Sequence, residues 1–322
     1  MTDLLDGQIR NLLAASNSIA VVSHIRPDGD AVGSVLGLGL ALKNAGKDVQ
    51  MVLTNGLNTT FQHLQGYDQI THAIQGKPDL LIVVDCSDLQ RTGSLIGDRP
   101  VQINIDHHIT NLKFADVNLV EPTAVATCAI LAERLPAWGL ALDKTIAEAL
   151  MTGILTDTIG FRTSNMSPHA LRIAASLMEL GVDMPLLYNQ VIVMRSFEAS
   201  HYWGFALSRL QRQDRLVWTS LTLEDRQKSG YNGEDDADLT NILSGISDID
   251  IAVLFVEQRK NRVKVSWRAA PGLDVSSLAA QFGGGGHAPA AGADIAGTLE
   301  DIQKEVLKAT QDLLNLYNDK QK

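Results

Sequence analysis

The sequence predicts an α/β protein: a doubly wound, mainly parallel sheet followed by a second, smaller α/β domain of mixed sheet. Two continuous apolar runs, residues 19–22 and 80–84, are typical of strands buried on both faces, and residues 101–105 are predicted as a further strand. Stretches long enough for helices alternate with these strands, which favours crossover connections and a parallel sheet. After residue 208 the pattern shifts to runs that alternate or are continuously apolar, and this shift predicts a separate domain.

The first domain is predicted from its alternating strands and helices. An amphipathic helix over residues 4–15 precedes the first strand, and a Gly-punctuated apolar helix over 35–45 follows the first polar turn. Asn55-Gly56 predicts a turn after the second strand. Ser167-Pro168 predicts the start of a helix that ends near Gly181. The other predicted elements are a strand over 49–53 and helices over 123–135 and 142–159.

The second half is predicted as a linker followed by a smaller domain. Met194-Arg195-Ser196 is predicted as a hinge within the linker. We predict a first domain over 1–185, a linker helix over 186–208 and a second domain over 209–322. The elements predicted in the second domain are strands over 216–222, 249–257 and 262–268 and helices over 239–246, 274–282 and 298–317.

Bulk properties limit the classes of partner. The 322-residue chain has 45% hydrophobic residues, enough for the cores of two domains. Its formal net charge of −10 argues against a broad electrostatic grip on long duplex nucleic acid. The sequence has no signal-peptide pattern and no apolar run near ~18 residues, so we expect a cytoplasmic protein with no membrane partner. Cys86 and Cys128 form no spaced ligand set, and a disulfide framework is not expected.

Histidines and aspartates follow the predicted strands, at the ends where open α/β sheets build their sites. His24, Asp28 and Asp30 follow the first strand, in a turn formed by Pro27 and Gly29. The same construction recurs downstream in Asp85, in Asp106-His107-His108 and in Asp157 on an apolar helix. An aspartate on an apolar segment is costly to desolvate unless it is paired or binds a cation. The pattern predicts a shared metal site, although the first motif alone is also consistent with a polar turn and an N-capping aspartate.

These residues resemble the four motifs of the DHH phosphoesterase superfamily. The match consists of the His-x-x-x-Asp-x-Asp turn, the lone strand-end aspartate, the Asp-His-His run and the later aspartate. The resemblance implies two divalent ions bridged by one carboxylate. Carboxylates mixed with imidazoles suit Mn²⁺, with Mg²⁺ as the alternative. The implied ligands are His24, Asp28 and Asp85 for the first ion, and Asp30, Asp85, His107 and Asp157 for the second.

The resemblance also implies roles for three residues near the ions. Asp106 would orient an imidazole, as metal-site histidines usually require. His108 would face the scissile phosphate, where it would donate a hydrogen bond or assist the leaving group. Arg91 corresponds to an arginine that lies near the site in relatives, while a surface charge is the alternative.

A glycine run near the C-terminus resembles the signature of the DHH-associated C-terminal domain. Gly284, Gly285 and Gly286 let backbone N–H groups approach a phosphate with no Cβ in the way, and His287 would add a contact. A flexible linker is the alternative reading of glycines alone. Arg268, at the end of its predicted strand, would be a second anion clamp. Relatives often carry Arg-Ser there, whereas this chain has Arg268-Ala269, so one expected hydroxyl is missing.

By resemblance, the chain is most similar to bifunctional oligoribonucleases. These degrade very short RNAs and dephosphorylate 3′-phosphoadenosine 5′-phosphate. The implied division of labour is that the first domain cuts and the second holds the rest of a short single-stranded RNA or nucleotide. Three alternatives stay open: a cyclic di-AMP or linear dinucleotide phosphodiesterase, an exopolyphosphatase, and a binding protein that has lost catalysis. The sequence allows a homodimer.

Overall fold

The computed structural model describes residues 2–54 and 59–321, in two compact units, Met1–Met194 and Arg195–Lys322. The predicted α/β class is confirmed, because each unit is built around its own sheet. The turn predicted at Asn55-Gly56 lies outside the described residues. The predicted functional division at residues 185 and 208 stays a prediction. Of the helices described, none is long and apolar enough to cross a membrane.

A parallel five-stranded sheet forms the centre of the first unit. Its strands are β1 (Ser18–Val22), β2 (Asp48–Val52), β3 (Leu80–Val84), β4 (Ile103–Asp106) and β5 (Val117–Val120). They pair in the order β2-β1-β3-β4-β5. β3 is buried along its whole length, which explains its unbroken apolar sequence. The chain changes direction across the sheet between β1 and β3, so the carboxyl ends of these two strands flank the expected crevice for a site.

Helices precede the sheet, connect its first two strands and follow its last strand, and several of their starts carry side-chain caps. They are α1 (Thr2–Ala15), α2 (Gly29–Asn44), α3 (Thr127–Ala137), α4 (Lys144–Asp157), α5 (Pro168–Glu179) and α6 (Met184–Tyr188). Asp28, Asp143 and Ser167 accept backbone N–H bonds at the starts of α2, α4 and α5. A π-helical turn, Asn189–Val193, follows α6.

The glycines of α2 allow a close approach to α4. A Cβ at Gly29 would come within 2.2 Å of Thr156 Oγ1, and one at Gly33 within 2.4 Å of the Ala149 carbonyl oxygen. A Cβ at Gly37 would lie 2.5 Å from Leu150. Because residues four apart share one helix face, these glycines form a single groove for α4. This contact sets where the C-terminal end of α4 lies relative to the start of α2.

Two elements of the first unit differ from prediction. α2 begins at Gly29 rather than at residue 35, so Asp30 lies in the first turn of the helix and not in a free turn. The Asp28 cap explains the early start, because it satisfies the N–H groups of Asp30 and Ala31. The sequence analysis missed β5, in which Leu119 alone is buried.

A mixed six-stranded sheet forms the centre of the second unit. Its strands are β6 (Gln211–Gln213), β7 (Leu216–Leu221), β8 (Ile251–Gln258), β9 (Arg262–Ala269), β10 (Gly285–His287) and β11 (Ala290–Ala296). They pair in the order β10-β11-β9-β8-β7-β6, with β7 and β8 parallel and the other pairs antiparallel. The sequence analysis found β7, β8 and β9 and missed the outer strands β6, β10 and β11.

Helices cover both faces of this sheet. They are α7 (Phe197–Ser208), α8 (Leu223–Ser229), α9 (Leu239–Leu243), α10 (Ser276–Gln281) and α11 (Leu299–Gln321). Trp267 of β9 is fully buried on one face, and its Nε1 donates to Thr310 of α11. Leu254 of β8 lies on the other face with Tyr202 of α7 and Leu243 of α9. The alternation of side chains along β8 and β9 therefore separates two cores.

The glycine run forms an edge strand. Gly286 pairs with Ala291, and a Cβ at Gly286 would lie 2.5 Å from the Ala290 carbonyl oxygen. A Cβ at Gly284 would lie 2.2 Å from the Gly292 carbonyl oxygen. Two of the four glycines are thus required by close packing against β11, whereas nothing lies within 4 Å of a Cβ at Gly283 or Gly285.

We expect Gly33→Ala to lower the stability of the first unit by about 1–3 kcal/mol, because the new methyl group meets the α4 backbone. Gly7→Ala in α1 is the matched control: its Cβ would meet nothing within 4 Å, so the change should stabilise by about 0.5–1 kcal/mol. Urea unfolding followed by circular dichroism measures both. Equal midpoints for the two variants would contradict the close α2–α4 contact.

Candidate metal centre

Polar side chains converge at the carboxyl ends of β1, β3 and β4 and at the end of α4. His24 follows β1, Asp85 follows β3, and His107 follows β4. Asp157 is the last residue of α4, which the glycine face of α2 holds nearby. Three groups of these residues place one ligand atom each within 4.8 Å of the others: His24 with Asp28 and Asp85, Asp30 with His107 and Asp157, and Asp85 with His107 and His108.

The first group combines one imidazole with two carboxylates. His24 Nε2 lies 3.5 Å from Asp85 Oδ2 and 3.9 Å from Asp28 Oδ2. His24 Nδ1 donates to the Ile25 carbonyl oxygen at 2.9 Å, which turns Nε2 toward the carboxylates. Asp28 caps α2 through Oδ1, so its other oxygen is the one that faces His24. The capping interpretation and the metal interpretation of Asp28 are therefore compatible.

The second group lies beside the first. His107 Nε2 is 3.4 Å from Asp157 Oδ2 and 3.9 Å from Asp30 Oδ2. His107 Nδ1 contacts the Ala124 carbonyl oxygen at 3.3 Å. Metal-binding histidines commonly donate their second ring N–H in this way, which orients the ring. Both histidines thus present Nε2 to carboxylates.

Asp85 lies between the two groups. Its Oδ2 faces His24, while its Oδ1 lies 3.9 Å from His107 Nε2 and 3.7 Å from His108 Nδ1. Thr127 Oγ1 donates to Oδ1 at 3.2 Å. The backbone of Asp85 has a φ of 51°, a left-handed conformation that costs energy in a residue with a Cβ. This strained turn directs the carboxylate between the groups.

Asp30 joins the metal centre to a distant helix. Its Oδ2 accepts the N–H of Thr127 at 2.6 Å, and its Oδ1 accepts the N–H of Cys128 at 2.9 Å. These are the first N–H groups of α3, whose own N-cap residue, Ala126, has no side chain that could bind them. Asp30 therefore caps α3 across the fold and is fixed in position by that helix.

Asp106 orients the second histidine of the Asp-His-His run. His108 Nδ1 lies 2.7 Å from Asp106 Oδ1, and the His107 N–H donates to the same oxygen at 2.9 Å. Asn111 Nδ2 donates to Asp106 Oδ2 at 2.6 Å. Asp106 is fully buried, so these bonds compensate its desolvation. The imidazole that Asp106 contacts is His108.

Burial and neighbouring charges shift the pKa values of the site's aspartates in opposite directions: those of Asp30 and Asp157 are raised, and that of Asp85 is lowered. Burial raises the pKa of Asp30 to about 7, and the charge of Asp85 adds to the rise. Burial also raises the pKa of Asp157, with Asp30 as the next cause. Burial alone would raise the pKa of Asp85, but the hydrogen bond and charge of His24 outweigh it and lower that pKa.

The histidines respond to the same carboxylates. Burial disfavours the charged form of His24, but Asp85 and Asp28 outweigh burial and raise its pKa to about 8. Burial likewise opposes the charged form of His107, and the surrounding aspartates, Asp30 first, raise its pKa to about 9. The cluster is rich in negative charge and holds protons where a divalent cation would fit.

Comparisons with known proteins agree with this geometry. A family model described as the DHH family, N-terminal domain, matches residues 18–154, and the DHHA1 domain model matches residues 216–315. The bifunctional oligoribonuclease and PAP phosphatase NrnA of Thermus thermophilus is 32% identical, over 94% of this chain and 92% of that protein. The chain belongs to the DHH/DHHA1 phosphoesterases. It is a metal-dependent phosphoesterase of the hydrolase class.

Further relatives of this DHH/DHHA1 phosphoesterase span most of its length. The bifunctional oligoribonuclease and PAP phosphatase NrnA of Bacillus subtilis is 25% identical, over 87% of this chain and 90% of that protein. A crystal structure of an exopolyphosphatase-related protein from Bacteroides fragilis gives a TM-score of 0.89 at 26% identity, covering 98% of this chain and 96% of that chain. The fold is shared with the RecJ structure from Thermus thermophilus in complex with Mn²⁺. That structure is 12% identical, gives a TM-score of 0.52, and the match covers 95% of this chain and 53% of that chain.

The chemistry of the cluster fits a divalent metal site of the DHH domain. Its donors are carboxylate oxygens and imidazole nitrogens, a set that suits Mn²⁺ or Mg²⁺. Both cysteines are buried outside it: Cys86 donates to the Asp88 carbonyl oxygen, and Cys128 lies against Ser34. All six predicted ligands lie together in the three groups.

The remaining predicted residues lie elsewhere. Arg91 is exposed in a 3₁₀ turn after β3, and its carbonyl oxygen accepts the Ile25 N–H at 2.7 Å, next to His24. Arg268 and His287 belong to β9 and β10 of the second unit. Arg268 is half-buried; in the second unit as described, its guanidinium donates to the Trp267 carbonyl oxygen and to no carboxylate.

Four groups that position the site residues were not predicted from the sequence: Thr127, Asn111 and the carbonyl groups of Ile25 and Ala124. Thr127 contacts Asp85, and Asn111 contacts Asp106. No local pattern marks them, since each acts on a residue that is distant in sequence or acts through its backbone. The uncapped start of α3 was the one available signal, because the first N–H groups of a helix that begins after Ala126 need a hydrogen-bond acceptor from elsewhere.

We expect the affinity for Mn²⁺ to rise with pH between 6 and 9, by about tenfold or more per pH unit below pH 8 and less steeply above it. The pKa values of Asp30, His24 and His107 are raised to about 7, 8 and 9, so each group holds its proton at pH values below its pKa. Metal binding must displace these protons. Below these values the proton competes with the cation; above them it does not. Calorimetric titration in two buffers of different ionisation enthalpy measures the protons released. A pH-independent affinity would contradict the proton-holding cluster.

Proposed function

We propose that this protein hydrolyses short oligoribonucleotides to mononucleotides and converts 3′-phosphoadenosine 5′-phosphate to AMP, using two Mn²⁺ ions, with Mg²⁺ as the alternative. The observation that carries the proposal is Asp85, which presents one carboxylate oxygen to each of two neighbouring His/Asp groups. Full-length similarity to the relatives named for these two activities supports the choice of substrate. We expect the protein to act in the cytoplasm.

The metal ligands are divided between two ions. His24, Asp28 and the Oδ2 atom of Asp85 would hold the first ion. The Oδ1 atom of Asp85 would join the second set, whose other members are Asp30, His107 and Asp157. Two such ions, when bound, would supply an activated water molecule and neutralise charge at the phosphorus.

The protein's own residues hold the ligands and move a proton. Asp106 holds His108 through Nδ1, so Nε2 is the atom through which His108 would protonate the leaving oxygen. The buried Asp106 fixes the orientation of the His108 ring. Thr127 and the α3 N–H groups keep Asp85 and Asp30 from turning away when a charged substrate binds.

The second unit would hold the rest of the substrate. The half-buried Arg268 donates to a backbone oxygen and, among the described residues of its unit, to no carboxylate, which suits a phosphate. Gly285 can present its N–H closely, while Gly284 and Gly286 fix the strand against β11. His287 ends that strand. Arg91, beside the His24 loop, would contribute a positive charge near the metal ligands.

An exopolyphosphatase is the second candidate, because the solved relative from Bacteroides fragilis is described as exopolyphosphatase-related. A polyphosphate chain would use the same ions and the same arginine. It offers no base, so the two functions differ in what the second unit must recognise.

A substrate panel in Mn²⁺ tests the proposal: a ribodinucleotide, a five-mer, a long RNA, 3′-phosphoadenosine 5′-phosphate, cyclic di-AMP and polyphosphate. We expect the dinucleotide and the nucleotide bisphosphate to be cleaved fastest and activity to fall steeply beyond a few nucleotides. The net charge of −10 disfavours a long polyanion. Preference for polyphosphate would favour the second candidate, and equal rates per end on long RNA would contradict both.

Separate variants should distinguish residues that bind the substrate from residues that catalyse its hydrolysis. Arg268→Ala should raise KM for the dinucleotide by about tenfold or more, the loss of a charge-assisted hydrogen bond. His287→Ala should act in the same direction. His108→Ala should lower kcat by about 10²–10⁴. Arg262→Ala, which removes an exposed arginine of β9 paired with Asp294, is the matched control.

A nitrophenyl phosphodiester completes this test, because it reaches the metals without a second phosphate. Its hydrolysis should be nearly unchanged by Arg268→Ala and His287→Ala and strongly reduced by His108→Ala. Equal losses on both substrates in all three variants would contradict the division of labour.

A further inference from the structure

A cavity of about 290 Å³ lies in the second unit, next to the β6 edge of its sheet. Strands β6 and β7 line one side of it, and one flank of α11 lines the other. The residues on which its chemistry depends are Gln213, Leu216, Trp218, Lys308, Gln311 and Asp312. The proposed function assigns no role to this cavity.

The position of α11 leaves this part of the sheet open. The helix packs on β8 and β9, where Thr310 accepts the indole N–H of Trp267. Gln213 lies directly opposite Leu216 in the β6–β7 pair, so both side chains share the face that α11 covers farther along the sheet. Trp218 is half-buried: it packs against the core around Trp267 and also lines the cavity. An indole in this position offers a flat apolar surface to an aromatic ring.

Gln311 carries an unused hydrogen-bond acceptor. Its Nε2 donates to Asn315 Oδ1 at 3.2 Å, whereas its Oε1 is buried and accepts no hydrogen bond from the residues that the structure describes. A buried carbonyl oxygen without a donor costs on the order of 1–3 kcal/mol. The terminal torsion of a glutamine is soft, so Oε1 can turn to an N–H group in the cavity. The cavity therefore favours a ligand that donates a hydrogen bond.

Two charged residues of α11 complete the lining. Lys308 and Asp312 are exposed and one helical turn apart, and neither is paired with another described residue. A lysine ammonium group suits a phosphate. An aspartate suits the hydroxyl groups of a ribose. Aromatic, amide, cationic and anionic groups thus lie around one small space.

We propose that this cavity binds an adenine mononucleotide, with the base against Trp218, the amino group donating to Gln311 and the phosphate at Lys308. Indole stacking accepts any base, so the amide selects among them. Adenine presents an amino donor on the edge where guanine and uracil present a carbonyl oxygen, which Oε1 would repel. Ligand pockets usually occupy about 300–1,000 Å³, so this small cavity suits one nucleotide rather than an oligonucleotide. The inference goes beyond the proposed function, because it concerns binding away from the residues assigned to cleavage.

Calorimetric titration of the full-length, metal-free protein with AMP tests the site. The Arg268→Ala background lowers binding at the proposed substrate residues, so the remaining signal reports the cavity. In that background Gln311→Leu should weaken AMP binding about two- to tenfold, the loss of one hydrogen bond. Trp218→Leu should weaken it at least about fivefold, the loss of base stacking. Gln303→Leu is the matched control, since it makes the same change on α11 outside the cavity lining.

Ligand analogues assign the individual contacts. Lys308→Gln should weaken the binding of AMP but not that of adenosine, which has no phosphate. UMP should bind the wild type more weakly than AMP, and Gln311→Leu should remove that preference. Equal AMP affinities in Gln311→Leu and Gln303→Leu would overturn the proposal.

Photolabelling with 8-azido-AMP, followed by peptide mapping, locates the bound base. We expect the label on residues 211–218 or 303–315, and label confined to residues 262–287 would contradict the assignment. Initial rates of ribodinucleotide cleavage in Mn²⁺ should be equal in Gln311→Leu and the wild type. A protein that cleaves the dinucleotide but binds no AMP in the cavity would overturn this inference and leave the proposed function intact.

Discussion

The bond between Asp30 and the first turn of α3 is the interaction on which the metal centre depends. Asp30 is almost completely buried, in the company of three other aspartates, so its charge needs fixed partners. Two N–H groups of α3 supply them, and the positive end of that helix adds a favourable field. The same helix carries Thr127, which contacts Asp85. One helix terminus therefore positions carboxylates from two different strand ends.

The second constraint is the close approach of α2 and α4. The glycine face of α2 brings the helices together, so that Asp28 and Asp30 at the start of one lie beside Asp157 at the end of the other. Burial, with the neighbouring negative charge as the next cause, raises the pKa of Asp30, and the same negative charge raises the pKa of both Nε2-presenting histidines against the effect of burial. Divalent cations relieve this repulsion, which is the physical reason why such a cluster and its ions belong together.

In the second unit, glycine serves packing as well as chemistry. Gly284 and Gly286 are required by the β11 backbone, so their presence does not by itself identify an anion site. The stronger indication is Arg268, which is half-buried and donates to a backbone oxygen.

The sequence by itself determined the α/β class, the strand-end positions of His24, Asp85 and His107, and the family motifs. These are local properties: an apolar run predicts a buried strand, and a polar residue after it predicts a site. Only the tertiary structure decided that Asp30 caps α3, that Asp106 holds His108, that the glycine run is an edge strand, and that Arg195 pairs with Asp238. Each of these depends on partners brought together by packing, because hydrogen bonds and ion pairs act over a few ångströms in space and leave no periodicity in the chain.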